Sequence, residues 1–359
     1  MSSPAAASLR PVSGSPAAVE ARLRRWIAAP AGPLDVEPLT IRTSGSTGEP
    51  KDVVLSTTAL RASATATLAR LGGPGQWVLA LPVPYVAGLQ VVVRSILAGT
   101  SPVTLADHPD LATACAALTG ERRYLAAVPT QLHRWLADDT QAAALTELDA
   151  VLIGGSGVST ALLDTARARG VTVVTTYGMS ETCGGCVYDG VPLDGVGVAL
   201  GPQGEIRLSG PMLFAGYDGQ PGLTAQVVHD GWLHTPDLGR LDADGRLEVL
   251  GRADDVVVSG GENIPLPTVE RRLAQMPPVA HCALVGLPDP EWGTRVVAVV
   301  VPAAGCACPD LDSVRGFVAE ELPRHWAPRA VVTSEQLPML TSGKVDRQTL
   351  VRELSDAPR

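Results

Sequence analysis

Lysine is nearly missing from this chain of 359 residues: of its 28 lysines and arginines, only Lys51 and Lys344 are lysine. The two cations are not interchangeable where a compact ammonium is needed, so a chain that uses arginine elsewhere singles out those two positions. Aromatic residues are scarce as well, at 4%, which argues against an aromatic cage as the binding pocket. Six cysteines do not make a disulfide framework in a chain of this length. Cys183 and Cys186 form one C-x-x-C with no second pair to complete a zinc site, and Cys306 and Cys308 are too close for a comfortable disulfide or a metal pair alone. The thiols read as buried or incidental. No apolar run approaches the ~18 residues of a membrane span. The N-terminal "MSSPAAASLRPVSGSPAA" has no apolar core of a signal peptide and reads as a loose tail. A formal net charge of −9 argues against broad nucleic-acid or anionic-membrane binding. Internal repeats are absent too. The expectation is a cytoplasmic globular protein with no nucleic-acid partner and no stable membrane insertion.

What is present is a change of texture along the chain. Between Trp77 and Tyr177 the short apolar runs "WVLALPV", "SPVTL", "YLAAVP", "AVLIGGS" and "VTVVTTYG" are bounded by Gly, Pro or Ser, as strands are. Between them stand "AGLQVVVRSILAG", "PDLATACAALTG" and "STALLDTARARG"; the last two have helical spacing and end in Gly. Alternation of this kind predicts a parallel sheet covered by helices, with ligands beyond the carboxyl ends of its strands. The loops "GGSG" (154–157) and "TYGMSET" (176–182) follow strands and are therefore expected at the ligand edge. After Gly184 the runs read as antiparallel strands joined by tight turns, Asp244-Gly245 among them. From about Asp254 a small α+β domain is expected. The predicted division is a large α/β domain over 1–253 and a mobile α+β domain over 254–359.

The stretch "TSGSTGEPKDV", Thr43 to Val53, carries the ingredients of phosphate binding. It is not a Walker loop, because Pro50 precedes Lys51 and Asp52 follows it. Gly45 and Gly48 nevertheless let backbone N–H groups turn toward an anion. Thr43, Ser44, Ser46 and Thr47 offer hydroxyls, and Lys51 offers a mobile charge. A solvated hairpin tip would use the same turn-formers.

Taken in order, this loop, "TYGMSET", "GRADDVVVSGGENI" and "TSGKVDR" resemble the adenylate-forming superfamily, over about Leu39 to Arg347. The resemblance implies that residues Thr43 to Lys51 hold the β- and γ-phosphates of ATP. It places Gly155, Ser156 and Gly157, with Thr176, Tyr177, Gly178, Met179 and Ser180, around adenine and the α-phosphate. Glu181 would hold Mg²⁺, a hard cation suited to a carboxylate. Asp237 would take the ribose hydroxyls, helped by Arg252, although the common Thr-Gly-Asp here reads Thr235-Pro236-Asp237. Taken singly, Tyr177 could be a core aromatic, Asp237 a turn-former and Glu181 a helix cap. The small domain would rotate about Asp254, Gly260 and Gly261 would line a CoA channel, and Lys344 would be the catalytic ammonium of the adenylation step.

Within the superfamily, the size and the stretches 81–99, 128–136 and 151–170 are similar to the ligases that join o-succinylbenzoate to CoA in menaquinone biosynthesis. Tyr85, Gly88 and Arg94 are the candidate acyl-site residues; Tyr85 stands where many acyl-CoA synthetases have His. Arg94 could snorkel at the surface or point inward to pair with the second carboxylate of a dicarboxylic acid. Other acyl- or aryl-CoA ligases, a stand-alone adenylation domain and a catalytically dead binding module stay open. The implied small molecules are a carboxylic acid, ATP with Mg²⁺, and CoA; a homodimer is compatible with these features.

Overall fold

A computed structural model describes residues 8–28, 38–43, 50–339 and 345–356. The chain divides into two compact units. The first comprises Met1–Gly201, Ile206–Thr235 and Leu241–Glu248, the second Pro202–Glu205, Pro236–Arg240 and Val249–Arg359.

At the centre of the first unit is a seven-stranded sheet in the order Val191–Pro192, Gly184–Tyr188, Val173–Met179, Ala150–Ile153, Arg123–Ala127, Gln76–Leu79, Val103–Thr104. From Val173–Met179 to Val103–Thr104 all neighbours are parallel, as the alternating texture predicts. Strands buried on both faces need continuous apolar runs, and the Ala150–Ile153 strand is buried at every position. Val78, Leu125, Val151 and Ile153 meet the helices Leu111–Ala116, Pro129–Leu136, Asp139–Thr146 and Thr160–Ala168 through Leu111, Leu132, Leu136, Leu145 and Ala166. Side chains alternate between faces, so Trp77 and Tyr124 point the other way, where the Val86–Leu97 helix packs. The helices Thr57–Arg70 and Thr160–Ala168 begin at Ser56 and Ser159, whose hydroxyls accept from Ala59 N–H and Leu162 N–H.

One expectation changes here. Residues 176–179 are not loop but the end of the Val173–Met179 strand. They are held there by an antiparallel neighbour, Gly184–Tyr188, in the register Met179↔Gly184 and Gly178↔Gly185. Only Ser180–Thr182 turns, as a short 3₁₀ helix. A separate three-stranded sheet pairs Leu39–Thr43, Lys51–Leu55 and Gly216–Tyr217. The texture after Gly184 is antiparallel as expected, with Gly197 opposite Ser209 and Val228 opposite Leu233.

The second unit is an α+β fold. Its strands Val279–Asp289, Gly293–Pro302 and Ala330–Thr333 form one sheet. One face packs Leu284, Val296 and Val300 against Val269, Leu273, Val314 and Val318 of the helices Leu266–Leu273 and Leu311–Ala319. The opposite face packs Val285, Val297 and Val299 against Leu350 of the helix Arg347–Asp356. A hairpin, Val256–Ser259 with Glu262–Pro265, precedes them. Gly260 and Gly261 form its two-residue turn at φ +59° and +83°, the left-handed pair that a tight hairpin requires. Among the described residues no helix is long and apolar enough to cross a membrane.

Candidate active site

The site is built at the carboxyl ends of the parallel strands. Thr43 and Lys51 face each other across the antiparallel pair, and the Thr43 hydroxyl donates to the Lys51 carbonyl at 3.3 Å. They flank the segment expected to bind phosphate; Ser44, Gly45, Ser46, Thr47 and Gly48 of it lie outside the described residues. One residue further along this pair, Asp52 takes a two-pronged contact from Arg42 at 2.9 and 2.8 Å. That guanidinium holds the Asp52 carboxyl below its ordinary range.

Tyr217 joins this pair to the Ser180–Thr182 turn. Its strand pairs with Lys51–Leu55, Tyr217 opposite Val53. The Lys51 ammonium stands 5.5 Å above its ring, a cation–π distance. The Tyr217 hydroxyl donates to Glu181 Oε1 at 2.8 Å. Burial, then the negative charge of Glu181, push the phenol well above its ordinary value, so it stays a donor. Glu181 is therefore not a helix cap: its carboxylate is aimed at Tyr217, and its backbone carbonyl accepts from Phe214 N–H at 2.9 Å.

Below Glu181 the backbone is tightly fixed. Thr182 accepts from Met179 N–H at 2.8 Å and donates to the Gly184 carbonyl at 2.7 Å. Cys183 closes the turn at φ +52°, a left-handed conformation that costs a non-glycine residue about 1–2 kcal/mol. Gly178 is obligatory, because a Cβ there would collide with the Gly184 carbonyl oxygen and come within 2.7 Å of Gly185 Cα. Burial pushes up the thiols of Cys183, at the end of the turn, and of Cys186, in the strand Gly184–Tyr188, the latter to about 12, which keeps both protonated and unreactive. Among the described residues no group of three or more His, Cys, Asp or Glu could hold a metal.

Gly155, Ser156 and Gly157 form an exposed bend after the Ala150–Ile153 strand. A Cβ on Gly154 would strike Thr176 Oγ1 and lie 3.0 Å from its carbonyl oxygen. The missing side chain thus lets the bend lie directly beside Thr176 and Tyr177. Tyr177 is half-buried on the edge of the strand rather than enclosed in the core.

In the second unit, Asp237 is mostly buried and Arg252 reaches to 3.7 Å of its Oδ1, so the two residues expected to serve the ribose are neighbours. Asp254 sits in the 3₁₀ turn Ala253–Asp255. Trp292 backs the Gly260–Gly261 turn, its carbonyl accepting from Gly260 N–H at 2.9 Å, and the Arg329 guanidinium lies 3.7 Å above the indole. Lys344 lies outside the described residues. Three positions on, Arg347 donates to buried Glu270 at 2.7 Å.

The three acyl candidates share the Val86–Leu97 helix and its cap but not one environment. Tyr85 is 62% exposed at the N-cap. Gly88 is buried, with the Leu81 carbonyl oxygen 2.7 Å from where a Cβ would stand. Arg94 is nine residues beyond Tyr85, about 13 Å along the axis, and is only 4% exposed. It does not snorkel. Its Nη2 donates to Tyr188 Oη at 3.4 Å, its guanidinium stands 5.1 Å from the Trp77 ring, and its Nε has no partner. No carboxylate of the described residues pairs with it, and burial lowers its pKa.

Comparison with known proteins settles the affiliation. The AMP-binding enzyme family model matches residues 39–218, and the model of that enzyme's C-terminal domain matches 268–344. The chain belongs to the AMP-binding enzyme family. A probable 2-succinylbenzoate–CoA ligase of Mycobacterium tuberculosis is 47% identical over 324 residues, covering 88% of this chain and 84% of the relative. A feruloyl-CoA synthase of an Amycolatopsis species is 34% identical, covering 89% and 73%. Among solved structures, o-succinylbenzoate CoA synthetase of Bacillus subtilis in complex with the acyl-adenylate intermediate OSB-AMP superposes with a TM-score of 0.75 at 27% identity, covering 89% of this chain and 69% of that one. Membership of the AMP-binding family makes ATP a substrate.

Proposed function

We propose that this AMP-binding enzyme activates o-succinylbenzoate with ATP to the acyl-adenylate and pyrophosphate, then transfers the acyl group to CoA with release of AMP. Buried Arg94 carries the choice of acid. A guanidinium with one weak hydrogen bond and no counter-ion among the described residues suits an acid that brings a second carboxylate, whereas a fatty acid wants a wholly apolar tunnel. The likeness to 2-succinylbenzoate ligases points the same way.

The chain's residues divide the work. Thr43 to Lys51 grip the β- and γ-phosphates. Gly155 to Gly157, with Thr176 to Ser180, take adenine and the α-phosphate, Tyr177 stacking on the purine. Asp237, oriented by Arg252, accepts from the ribose hydroxyls. Magnesium fits at Glu181, an oxygen donor fixed by Tyr217 at 2.8 Å; one carboxylate plus phosphate oxygens is the usual provision for this ion. When bound, it neutralises phosphate charge. In the first step the acid's carboxylate attacks the α-phosphorus in line and pyrophosphate leaves. Lys344 orients that carboxylate and offsets the growing charge. For the second step the residues from Asp254 onward turn about it, and the Gly260–Gly261 turn, which has no side chains to obstruct, admits the pantetheine arm. Trp292 and Arg329 beside that turn provide an apolar wall and a cation. Consumption of ATP and CoA accords with a cytoplasmic setting.

The test is pyrophosphate release with o-succinylbenzoate, benzoate and a long-chain fatty acid, followed by CoA or a carrier protein as acceptor. We expect o-succinylbenzoate and CoA to be favoured strongly in kcat/KM. A preference for the fatty acid overturns the choice of acid, and transfer only to the carrier protein overturns the choice of acceptor.

A further inference from the structure

Gln90 lies in the middle of the apolar stretch "VAGLQVVVRSIL" and is wholly buried. Its Oε1 has no partner among the described residues, so the residue is not there to satisfy both ends of a core amide. Its Nε2 makes one short bond, 2.7 Å to the carbonyl of Cys183, and a long one of 3.4 Å to the Leu60 carbonyl. A second donor, Ser63 Oγ from the helix Thr57–Arg70, reaches the same Cys183 carbonyl at 3.0 Å. Cys183 is the left-handed residue that ends the Ser180–Thr182 turn, two positions from Glu181. Gly184 leaves room for this contact: a Cβ there would stand 3.3 Å from Gln90 Cγ. Two buried donors from two helices thus converge on one peptide carbonyl, the one that closes the turn carrying Glu181. A buried amide that leaves its own acceptor unsatisfied costs stability and calls for an explanation, which the bond from its donor supplies.

We propose that Gln90, seconded by Ser63, is a positioning residue that holds the Glu181 turn in register with the acyl-site helix and so sets the affinity of the site for the magnesium–ATP complex. This rests on reading Glu181 as the carboxylate that meets the metal. Gln90→Met keeps the length and the apolar surroundings of the side chain and deletes the amide; Ser63→Ala deletes the other donor. Two readouts are taken: binding of manganese(II) with ATP and no acid, followed by electron paramagnetic resonance, and the magnesium concentration that half-saturates pyrophosphate release. We expect each single variant to weaken both about tenfold, and the double variant to lose more than the product, because the Cys183 carbonyl is then left without either donor. Conversion of supplied acyl-adenylate with CoA should change less than twofold. If melting temperature falls while both metal readouts stay within twofold, Gln90 is merely structural and the proposal is overturned. Should Gln90→Met not fold, Ser63→Ala decides alone by the same criterion. Glu181→Gln separates the two readings: unchanged metal binding in that variant overturns the role of Glu181, whereas loss there with none in Gln90→Met overturns only the role of Gln90.

Discussion

Arg94→Met should make the protein more stable and less useful. The side chain to be removed is 4% exposed and makes one hydrogen bond, 3.4 Å to Tyr188 Oη, with Nε buried and unpartnered. One unsatisfied buried donor costs about 1–3 kcal/mol. Exchanging a poorly compensated buried charge for an apolar side chain of similar length commonly stabilises by about 1–4 kcal/mol. Against this stands the contact with the Trp77 ring at 5.1 Å, worth about 0.5–2 kcal/mol. Tyr188 is not orphaned by the change, because its hydroxyl keeps Thr67 Oγ1 at 2.9 Å. The net expectation is a gain of about 1–2 kcal/mol, or roughly 2–8 °C in melting temperature. Activity should move the other way. Loss of a charge-assisted contact costs about 1.5–3 kcal/mol, so kcat/KM for o-succinylbenzoate should fall roughly 10- to 150-fold. For an analogue that keeps the reacting carboxylate and carries a methyl group in place of the other, the substitution should make little difference. Differential scanning fluorimetry and a pyrophosphate-release assay on the two acids are sufficient. A drop of several degrees together with equal losses on both acids would show that Arg94 is a structural prop and refute the reasoning.

Other expectations are as direct. Lys344→Ala should abolish most adenylation, by about 10²–10³ in rate, while supplied acyl-adenylate is still converted with CoA; Asp254→Pro should do the reverse by fixing φ and removing a backbone donor. Losses within a few-fold in both half-reactions would remove either assignment. Gly178→Ala forces a Cβ against backbone of the neighbouring strand, where no rotamer can relieve it; a loss of about 1–3 kcal/mol in stability should accompany impaired adenylation, and unchanged melting would contradict the packing. Asp110, Asp310 and Asp346 accept hydrogen bonds at helix starts. Contacts with Thr113, Ser313 and Thr349 hold their carboxyls below the ordinary range. Their native pKa values therefore lie below the unfolded ones. The stabilisation is complete above the unfolded value, about 4, and is lost as pH falls through the native values. Asp310→Asn, which still caps, should flatten the acid limb of the melting curve; an unaltered limb would refute the assignment.

The parts of the fold that could be read from sequence are those whose signal is local. Strand runs such as 150–153 are apolar throughout and end abruptly, here between Asp149 and Gly154, and they became the parallel sheet. The helix Thr57–Arg70 gave no such signal, because its buried face is Ala59, Leu60, Ser63, Ala64, Thr67 and Leu68, mostly small or polar. Residues 176–179 looked like loop because their pairing with Gly184–Tyr188 depends on a chain reversal that composition does not reveal. In the site, ordered motifs pointed to Thr43, Tyr177, Glu181 and Asp237. Tyr217 carries no local mark. It reaches Glu181 only because its strand pairs with one more than 160 residues earlier. Gln90 is one polar residue in an otherwise apolar run, and nothing near it in sequence names Cys183 as its partner.

The strand Val173–Met179 has a parallel neighbour on one side and an antiparallel one on the other. It therefore acts as a ruler. The bend at Gly155 and the turn at Glu181 are both measured from its one end, so the two segments proposed to hold the nucleotide and the metal cannot drift apart without a shear in the sheet. With the acyl role proposed for the Val86–Leu97 helix, retargeting such an enzyme to another acid becomes a matter of that helix, whose outer turn and inner end can be rewritten while the ruler is left untouched. The limit on that freedom is Gln90, the point at which the replaceable helix is tied to the part that cannot move.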